Sequence, residues 1–317
     1  MDFVLKHCAK EFEAINALIN QIGESNDPFV REITSYISTN RGKRLRPGIV
    51  ILASQLFGYQ GTNHIHAAAA IEILHTATLI HDDIIDNADM RRGMPSINAR
   101  WGSSIAILMA DYYFSKAFTI ILSAGIQKFV ELLCQVATLM CEGELIQQRL
   151  NGKFPTRADY FRIIKHKTAY LFSTSAQLGA VAAGASDKDI CRMRNYGLNL
   201  GMAFQISDDI LDYCATDKNW GKTPGSDLRQ GHQTLPFIYA FEAATPNHQK
   251  ELRMHCHDET HLHKMVNIIK KYNGFEYSGK VARYFVSLAK KSLSEIPDSE
   301  AKSLLLLTAD CISTRTF

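Results

Sequence analysis

Apolar residues along this chain recur every three to four positions over long stretches. In "AAAAIEILHTATLIHDDIID", residues 67–86, Ile71, Leu74, Thr78 and Asp82 fall on one helical stripe. The four alanines at 67–70 are small enough to let a second helix approach closely. The run "NLGMAFQISDDILDY", residues 199–213, has the same character. Two further tracts, Ile105–Ile126 and Ala169–Ala185, are still more apolar. Both are short or interrupted for a span of ~20 apolar residues, so they are expected to be buried helices, with transient membrane contact as a minor alternative.

Punctuation supports the same reading. Only eight prolines occur, and none lies between Pro95 and Pro155 or between Pro155 and Pro224. Alternation bounded by hairpin turns is absent. Loops are marked by "RGKRLRPG" (41–48), "NADMRRGMPS" (87–96), "NGKFPTRAD" (151–159) and "DKNWGKTPGSDLRQGHQT" (217–234). No linker rich in proline, glycine or serine divides the chain. The expected fold is all-α, a single domain over 1–317, built as a helical bundle of roughly ten or more helices.

Composition narrows the class. With 317 residues and 46% hydrophobic positions, the chain can bury a large core. Its net charge of +3 implies no nucleic-acid partner. The first residues, "MDFVLKHCAKEFEAINALINQI", carry acids throughout and do not read as a signal peptide. Seven cysteines without motif spacing fit a reduced, cytoplasmic protein.

The candidate chemistry lies in two acidic clusters. Asp82, Asp83 and Asp86 form a DDxxD pattern, and Asp208, Asp209 and Asp212 repeat it 126 residues later. On a helix, the first and last aspartates of each cluster are one turn apart and face the same way. Unpaired, they would repel, and burying them so would cost several kcal/mol. Facing clusters would offer hard oxygen ligands suited to Mg²⁺, which binds carboxylates and water together with substrate phosphates. A solvated helix end is the plain alternative for either cluster alone. Calcium-loop spacing is not matched.

Cations accompany the acids. Lys43, Arg44 and Arg46 lie in "GKRLRP", Arg91 and Arg92 in "RRG", Lys167 in "HKT" and Lys222 in "GKTPGSD". Guanidinium forks match phosphate oxygens, and lysine supplies a point charge. Singly, each reads as a surface residue. Together with the acidic clusters they suggest a pocket for diphosphates.

The segments "GKRLRP", "HTATLIHDDIIDNADMRRGMPS", "HKTAYLF", "GMAFQISDDILDY" and "GKTPGSDLRQGHQTLP" resemble, in order and spacing, the motifs of trans-prenyltransferases (trans-polyprenyl diphosphate synthases). The closest flavour is a bacterial long-chain synthase, such as the catalytic component of a heptaprenyl diphosphate synthase. One departure is Ala110 in "MADYYF", where the family usually carries glycine. The resemblance implies helices around a deep central cavity. It also implies head-to-tail condensation of isopentenyl diphosphate with an allylic diphosphate, farnesyl or similar, dependent on Mg²⁺ at roughly three ions per active site.

Residue by residue, the resemblance places the metals on Asp82, Asp86 and Asp208, with Asp83, Asp209 and Asp212 as supporting groups or weaker ligands. The allylic phosphates fall to Arg91, Lys167, Thr168, Gln205 and Lys222. Isopentenyl diphosphate falls to Lys43, Arg46, His75 and Arg92. The segment "DKNWGKTPGSD" would close as a lid that excludes water. A homodimer, or a heterodimer with a small subunit, is implied, with quinone side chains as a typical use of the product.

Product length is expected to depend on the helix before the first cluster. Leu74, Ala77 and Thr78 lie beneath Asp82, one turn being about 5.4 Å. In the resembling family, short-chain synthases carry bulky aromatic residues there. Here Ala77 and Thr78 are small, so a heptaprenyl to nonaprenyl product is expected. The alternatives are a geranylgeranyl diphosphate synthase, or a subunit inactive alone. A terpene cyclase would not need the second phosphate clamp. The histidine-rich "HCHDETHLH" (255–263) and "HIH" (64–66) are read as solvated loops, and Asp111 as a polar partner for a helix end.

Overall fold

The computed structural model describes the chain except residues 1, 40–41, 43, 151, 215–230, 256–260 and 314–317, and the side chains of 2, 255 and 313. The expected all-α architecture is observed. The helices are α1 (Asp2–His7), α2 (Ala9–Asn20), α3 (Pro28–Thr39), α4 (Leu45–Leu56), α5 (Asn63–Ile85), α6 (Ile97–Trp101), α7 (Ser103–Ser123), α8 (Gln127–Arg149), α9 (Arg157–Ile164), α10 (Tyr170–Ala182), α11 (Asp187–Cys214), α12 (Leu235–Ala243), α13 (Pro246–His255), α14 (Leu262–Lys271), α15 (Gly274–Ser292) and α16 (Glu300–Ser313). A π-helical turn, Lys165–Ala169, joins α9 to α10.

The chain forms two compact units, each assembled from discontinuous segments. The first contains Met1–Ala137, Leu171–Arg194 and Glu295–Leu306, and the second Thr138–Tyr170, Asn195–Ser294 and Leu307–Phe317. In the first unit α5 packs against α7, α4 and α2. Its small stripe does the work expected of it: Ala67, Ala68, Ala69 and Ala70 are all fully buried. In the second unit, α12 packs on α14 and α15. Its core joins Tyr160, Ile164, Met202, Ile206, Ile210 and Leu235.

Three departures from the sequence pattern have physical reasons. The loop at 87–96 contains a two-stranded antiparallel hairpin, β1 (Met90–Arg91) with β2 (Met94–Pro95). Its two-residue turn has positive φ at both Arg92 (52°) and Gly93 (80°), the handedness that matches strand twist. Strands of two residues carry no readable alternation. The tract in α7 is buried on one face only: Ile107, Leu108 and Leu122 are 45%, 63% and 59% exposed. Among the described residues α7 is also the one helix long and apolar enough to cross a membrane by length and composition, with a third of its most apolar window buried. By contrast, α10 is buried almost throughout. Finally, "HIH" is not a solvated loop. It opens α5, with His64 buried edge-on to Tyr59 and Ile65 packed inward.

Candidate active site

Each unit carries one acidic cluster near the C-terminal end of a long helix. In the first, α5 ends on a Schellman turn. Ala88 N–H donates to Asp83 O at 2.9 Å and Asn87 N–H to Ile84 O at 3.3 Å, with Asn87 in the left-handed region at φ 49°. This turn places Asp82 in the last turn and Asp86 at the cap, with Asp86 N–H on Asp82 O at 2.8 Å. In the second, Asp208, Asp209 and Asp212 fall in the last two turns of α11. The carbonyl end of a helix carries about half a negative charge, which favours Lys or Arg there and disfavours carboxylates. Neither helix has a basic residue in its last turn. Both clusters therefore concentrate negative charge where backbone and side chains repel together, an arrangement that suits a multivalent cation.

Within each cluster the second aspartate is turned inward and held. Asp83 is buried, and Arg91 reaches it through Nε at 2.6 and 2.7 Å and Nη2 at 2.6 Å. Burial raises the Asp83 carboxyl, and the hydrogen bond and charge of Arg91 oppose that shift. Asp209 is also buried. Tyr160 donates its hydroxyl to Oδ2 at 2.5 Å and Gln205 its amide to Oδ1 at 2.7 Å. Burial pushes its carboxyl up to about 7 against those two donors, with Asp208 and Asp212 adding to the rise. Asp82 and Asp86 are half-buried and Asp208 is exposed, whereas Asp212 is buried. Among the described residues, no three His, Cys, Asp or Glu side chains close on a common point. A cation held by these aspartates would complete its shell with phosphate and water oxygens, as Mg²⁺ does.

The cations sort by unit. In the first, Arg46 Nη1 lies 3.1 Å from His75 Nε2, and its guanidinium stacks 4.5 Å over the Phe172 ring. His75 sits well below the usual imidazole range, because desolvation of its half-buried ring disfavours the charged form and because Arg46, Arg92 and Arg91 all oppose a further charge. It is therefore neutral, and its Nε2 accepts from Arg46. Arg92 is exposed in the hairpin turn, and its guanidinium leans on Gly42, where a Cβ would come 2.7 Å from Nη2. A pocket wholly within this unit is lined by Arg44, Glu72, His75, Arg91 and Arg92 among others. Arg46, Arg91 and Arg92 thus concentrate positive charge around one neutral imidazole.

In the second unit, Lys167 and Thr168 project from the π turn. Such one-residue expansions of a helix recur at functional sites. Lys167 is ion-paired to Glu144 and donates to Gln147 Oε1 at 3.2 Å. Thr168 donates to Gln205 Oε1 at 2.7 Å. The inner aspartate Asp209, Gln205 and Thr168 thus form one chain of hydrogen bonds.

Lys43 and Lys222, and the proposed lid at 217–227, lie outside the described residues, as do Cys256 and His257. His263 is exposed on α14. Asp111 is an exposed side chain 3.7 Å from His81, not a partner for a helix end. Ala77 and Leu74 are fully buried on α5; Thr78 is half-buried, with its hydroxyl on His75 O at 2.9 Å. Sequence reasoning missed Tyr160, Glu144, Gln147 and His232. His232 lies within the quoted segment "GKTPGSDLRQGHQTLP" but was given no role there, the other three stand in no quoted motif, and all four are brought together by packing in the second unit.

The family model for polyprenyl synthetase matches residues 27–272. The chain belongs to this family. The match runs through both units and covers both acidic clusters. Octaprenyl diphosphate synthase of Escherichia coli (strain K12) is 33% identical over 302 residues, 94% of each chain. Heptaprenyl diphosphate synthase component 2 of Geobacillus stearothermophilus is 37% identical over 281 residues, 87% of each. Among solved structures, a decaprenyl diphosphate synthase from Rhodobacter capsulatus superposes with a TM-score of 0.93 at 32% identity, covering 100% of this chain and 99% of that one. As a polyprenyl synthetase family member, the chain is a prenyltransferase of isoprenoid biosynthesis.

Proposed function

We propose that this enzyme condenses isopentenyl diphosphate head-to-tail with an allylic diphosphate, in a Mg²⁺-dependent reaction, to give a long-chain trans-polyprenyl diphosphate. The observation that carries this is the matched pair of helix ends, each offering outer aspartates while its inner aspartate is held by neutral or cationic donors. When bound, Mg²⁺ supplies the positive charge that makes diphosphate a competent leaving group. Asp82 and Asp86 at the end of α5, and Asp208 at the end of α11 with Asp212 in support, would hold the Mg²⁺ ions. Asp83 is assigned the task of fixing Arg91, and Asp209 that of orienting Gln205.

The chain's own residues do the rest. Lys167, Thr168, Gln205 and Lys222 receive the allylic phosphates and offset their growing charge as the C–O bond breaks. Lys43, Arg46 and Arg92 hold isopentenyl diphosphate, with the neutral His75 fixing the Arg46 guanidinium, so that the double bond meets the allylic carbon in register. Among the described residues no side chain stands as an obvious base, and the released diphosphate is the assigned proton acceptor.

For chain length, the supporting observation is that Leu74, Ala77 and Thr78 put no aromatic ring beneath Asp82. This favours heptaprenyl to nonaprenyl over geranylgeranyl products. The exposed apolar face of α7 is assigned to a second copy of the chain, in the cytoplasm. An unlike small subunit is the second reading, favoured by the name of the Geobacillus relative, which is a component 2 of its synthase. One experiment tests these points: purified chain, farnesyl diphosphate and isopentenyl diphosphate, with and without Mg²⁺, read by mass spectrometry of products and by the solution mass of the protein. Products of 35 to 45 carbons from a dimer, abolished without Mg²⁺, are expected. A chain with no activity until a small subunit is added supports the second reading. A product that stops at 20 carbons overturns the length assignment.

A further inference from the structure

Lys167 is held by more than its own helix. Its π turn meets α8 at Gly143, where a Cβ would lie 2.6 Å from His166 Cβ and 3.0 Å from Lys167 N. Only hydrogen fits there, so α8 can run directly beneath the turn. That closeness brings the next residue on α8, Glu144, onto the Lys167 ammonium, and both side chains are largely buried, 15% and 21% exposed.

Glu144 is itself fixed. Its Oε1 accepts from Gln148 Nε2 at 2.9 Å while Oε2 faces Lys167. Burial raises its carboxyl, but Lys167 and Gln148 outweigh that and hold it below the ordinary glutamate range. One turn on, Gln147 accepts from Lys167 through Oε1, and its amide nitrogen lies 2.8 Å from His232 Nε2. His232 is neutral, lowered to about 4 by burial and then by Lys167. A neutral His232 Nε2 can accept, so it fixes which end of the Gln147 amide faces the lysine.

We propose that Glu144, Gln147 and His232 are positioning residues that hold the Lys167 ammonium for the diphosphate of the allylic substrate, with Glu144 as the anchor. The inference rests on the reading of Lys167 as a phosphate ligand. A lysine side chain has a long flexible stem with many rotamers. A carboxylate braced from both sides fixes that stem before substrate arrives, so less order is lost on binding.

The test is a double-mutant cycle in the full-length enzyme with Glu144→Ala, Lys167→Ala and the double variant, plus Glu144→Gln. The readouts are KM for farnesyl diphosphate, KM for isopentenyl diphosphate, and thermal unfolding. Glu144→Ala is expected to raise the farnesyl diphosphate KM about tenfold, the scale of a lost charge-assisted contact. The isopentenyl diphosphate KM is expected to shift less than about twofold, since that substrate does not meet Lys167. In the Lys167→Ala background the substitution is expected to add nothing. Glu144→Gln, which keeps an acceptor, is expected to fall between wild type and Glu144→Ala. Equal effects of Glu144→Ala with and without Lys167, or equal shifts in both KM values, overturn the inference and leave the assignment of Lys167 standing. If Lys167→Ala itself leaves the farnesyl diphosphate KM unchanged, the phosphate-ligand reading fails and the inference falls with it.

Discussion

The Tyr160 hydroxyl and the Asp209 carboxylate meet at 2.5 Å inside the second unit. Tyr160 lies in the first turns of α9 and Asp209 near the end of α11. The bond ties the acidic cluster to α9, whose Tyr160 and Ile164 share one core and which leads into the π turn carrying Lys167. Tyr160→Phe leaves a buried carboxylate one donor short. It is expected to destabilise the protein by about 1–3 kcal/mol, measured by urea unfolding, with a smaller loss of turnover than a metal-ligand variant gives.

The corresponding bond in the first unit is the Arg91 fork on Asp83. Arg91→Ala removes the partner of a carboxylate that stays buried. A drop in melting temperature together with reduced activity is the expected outcome, and Asp83→Asn in the same background should recover part of the stability by removing the orphaned charge. If Arg91→Ala raises only the allylic KM and leaves unfolding unchanged, Arg91 acts on substrate rather than on Asp83.

Outer aspartates should behave in the opposite way. Asp82→Ala and Asp208→Ala are expected to lower kcat by several orders of magnitude. Each also removes a charge from the carbonyl end of a helix, so the melting temperature without Mg²⁺ should hold or rise. Near-normal turnover at saturating Mg²⁺ in either variant would exclude the ligand role.

In the proposed isopentenyl diphosphate site, Arg46→Ala removes both the partner of His75 and the proposed phosphate ligand. The KM for isopentenyl diphosphate should rise by about tenfold or more while that for farnesyl diphosphate changes little. Steady-state kinetics with each substrate varied in turn decide it.

His232 gives a pH signature. Its folded pKa of about 4 lies below the ordinary imidazole value of 6.5. Between those values the unfolded chain binds the extra proton, so stability should fall as pH drops from about 6.5 toward 4. One group contributes at most about 1.4 kcal/mol per pH unit. His232→Gln should flatten the slope of unfolding free energy against pH in this window. An unchanged slope would mean that His232 is not held neutral.

Much of this was readable from the chain. The period of "AAAAIEILHTATLIHDDIID" and the duplicated DDxxD pattern point to helices ending in acidic clusters. The segments around Arg46, His75, Lys167 and Gln205 carry the family's motifs. The hidden part is contextual. Nothing in "KHKTA" distinguishes a π turn from a regular one, because the difference is which carbonyl each N–H finds. Glu144 and His232 reach Lys167 from other elements, and spacing cannot encode that. Ile107, Leu108 and Leu122 read the same as core residues, since hydropathy does not say which face of α7 has a neighbour. His64 reads as polar, yet its ring is covered because Ile65 and Ala67–Ala70 drive that end of α5 inward.

The π turn at Lys165–Ala169 has one more consequence. It is equivalent to one surplus residue in an otherwise continuous rod from α9 to α10, worth about 100° of rotation. Deleting a single residue from this turn would let the rod close into regular α-helix with the flanking helices still in phase with their packing partners. Lys167 and Thr168 would lose their presentation while the hydrophobic contacts of Ile164 and Leu171 stayed in place. The segment is therefore a point where a shortened chain can keep its architecture and surrender its chemistry, and it predicts that inactive homologues one residue short here would still fold.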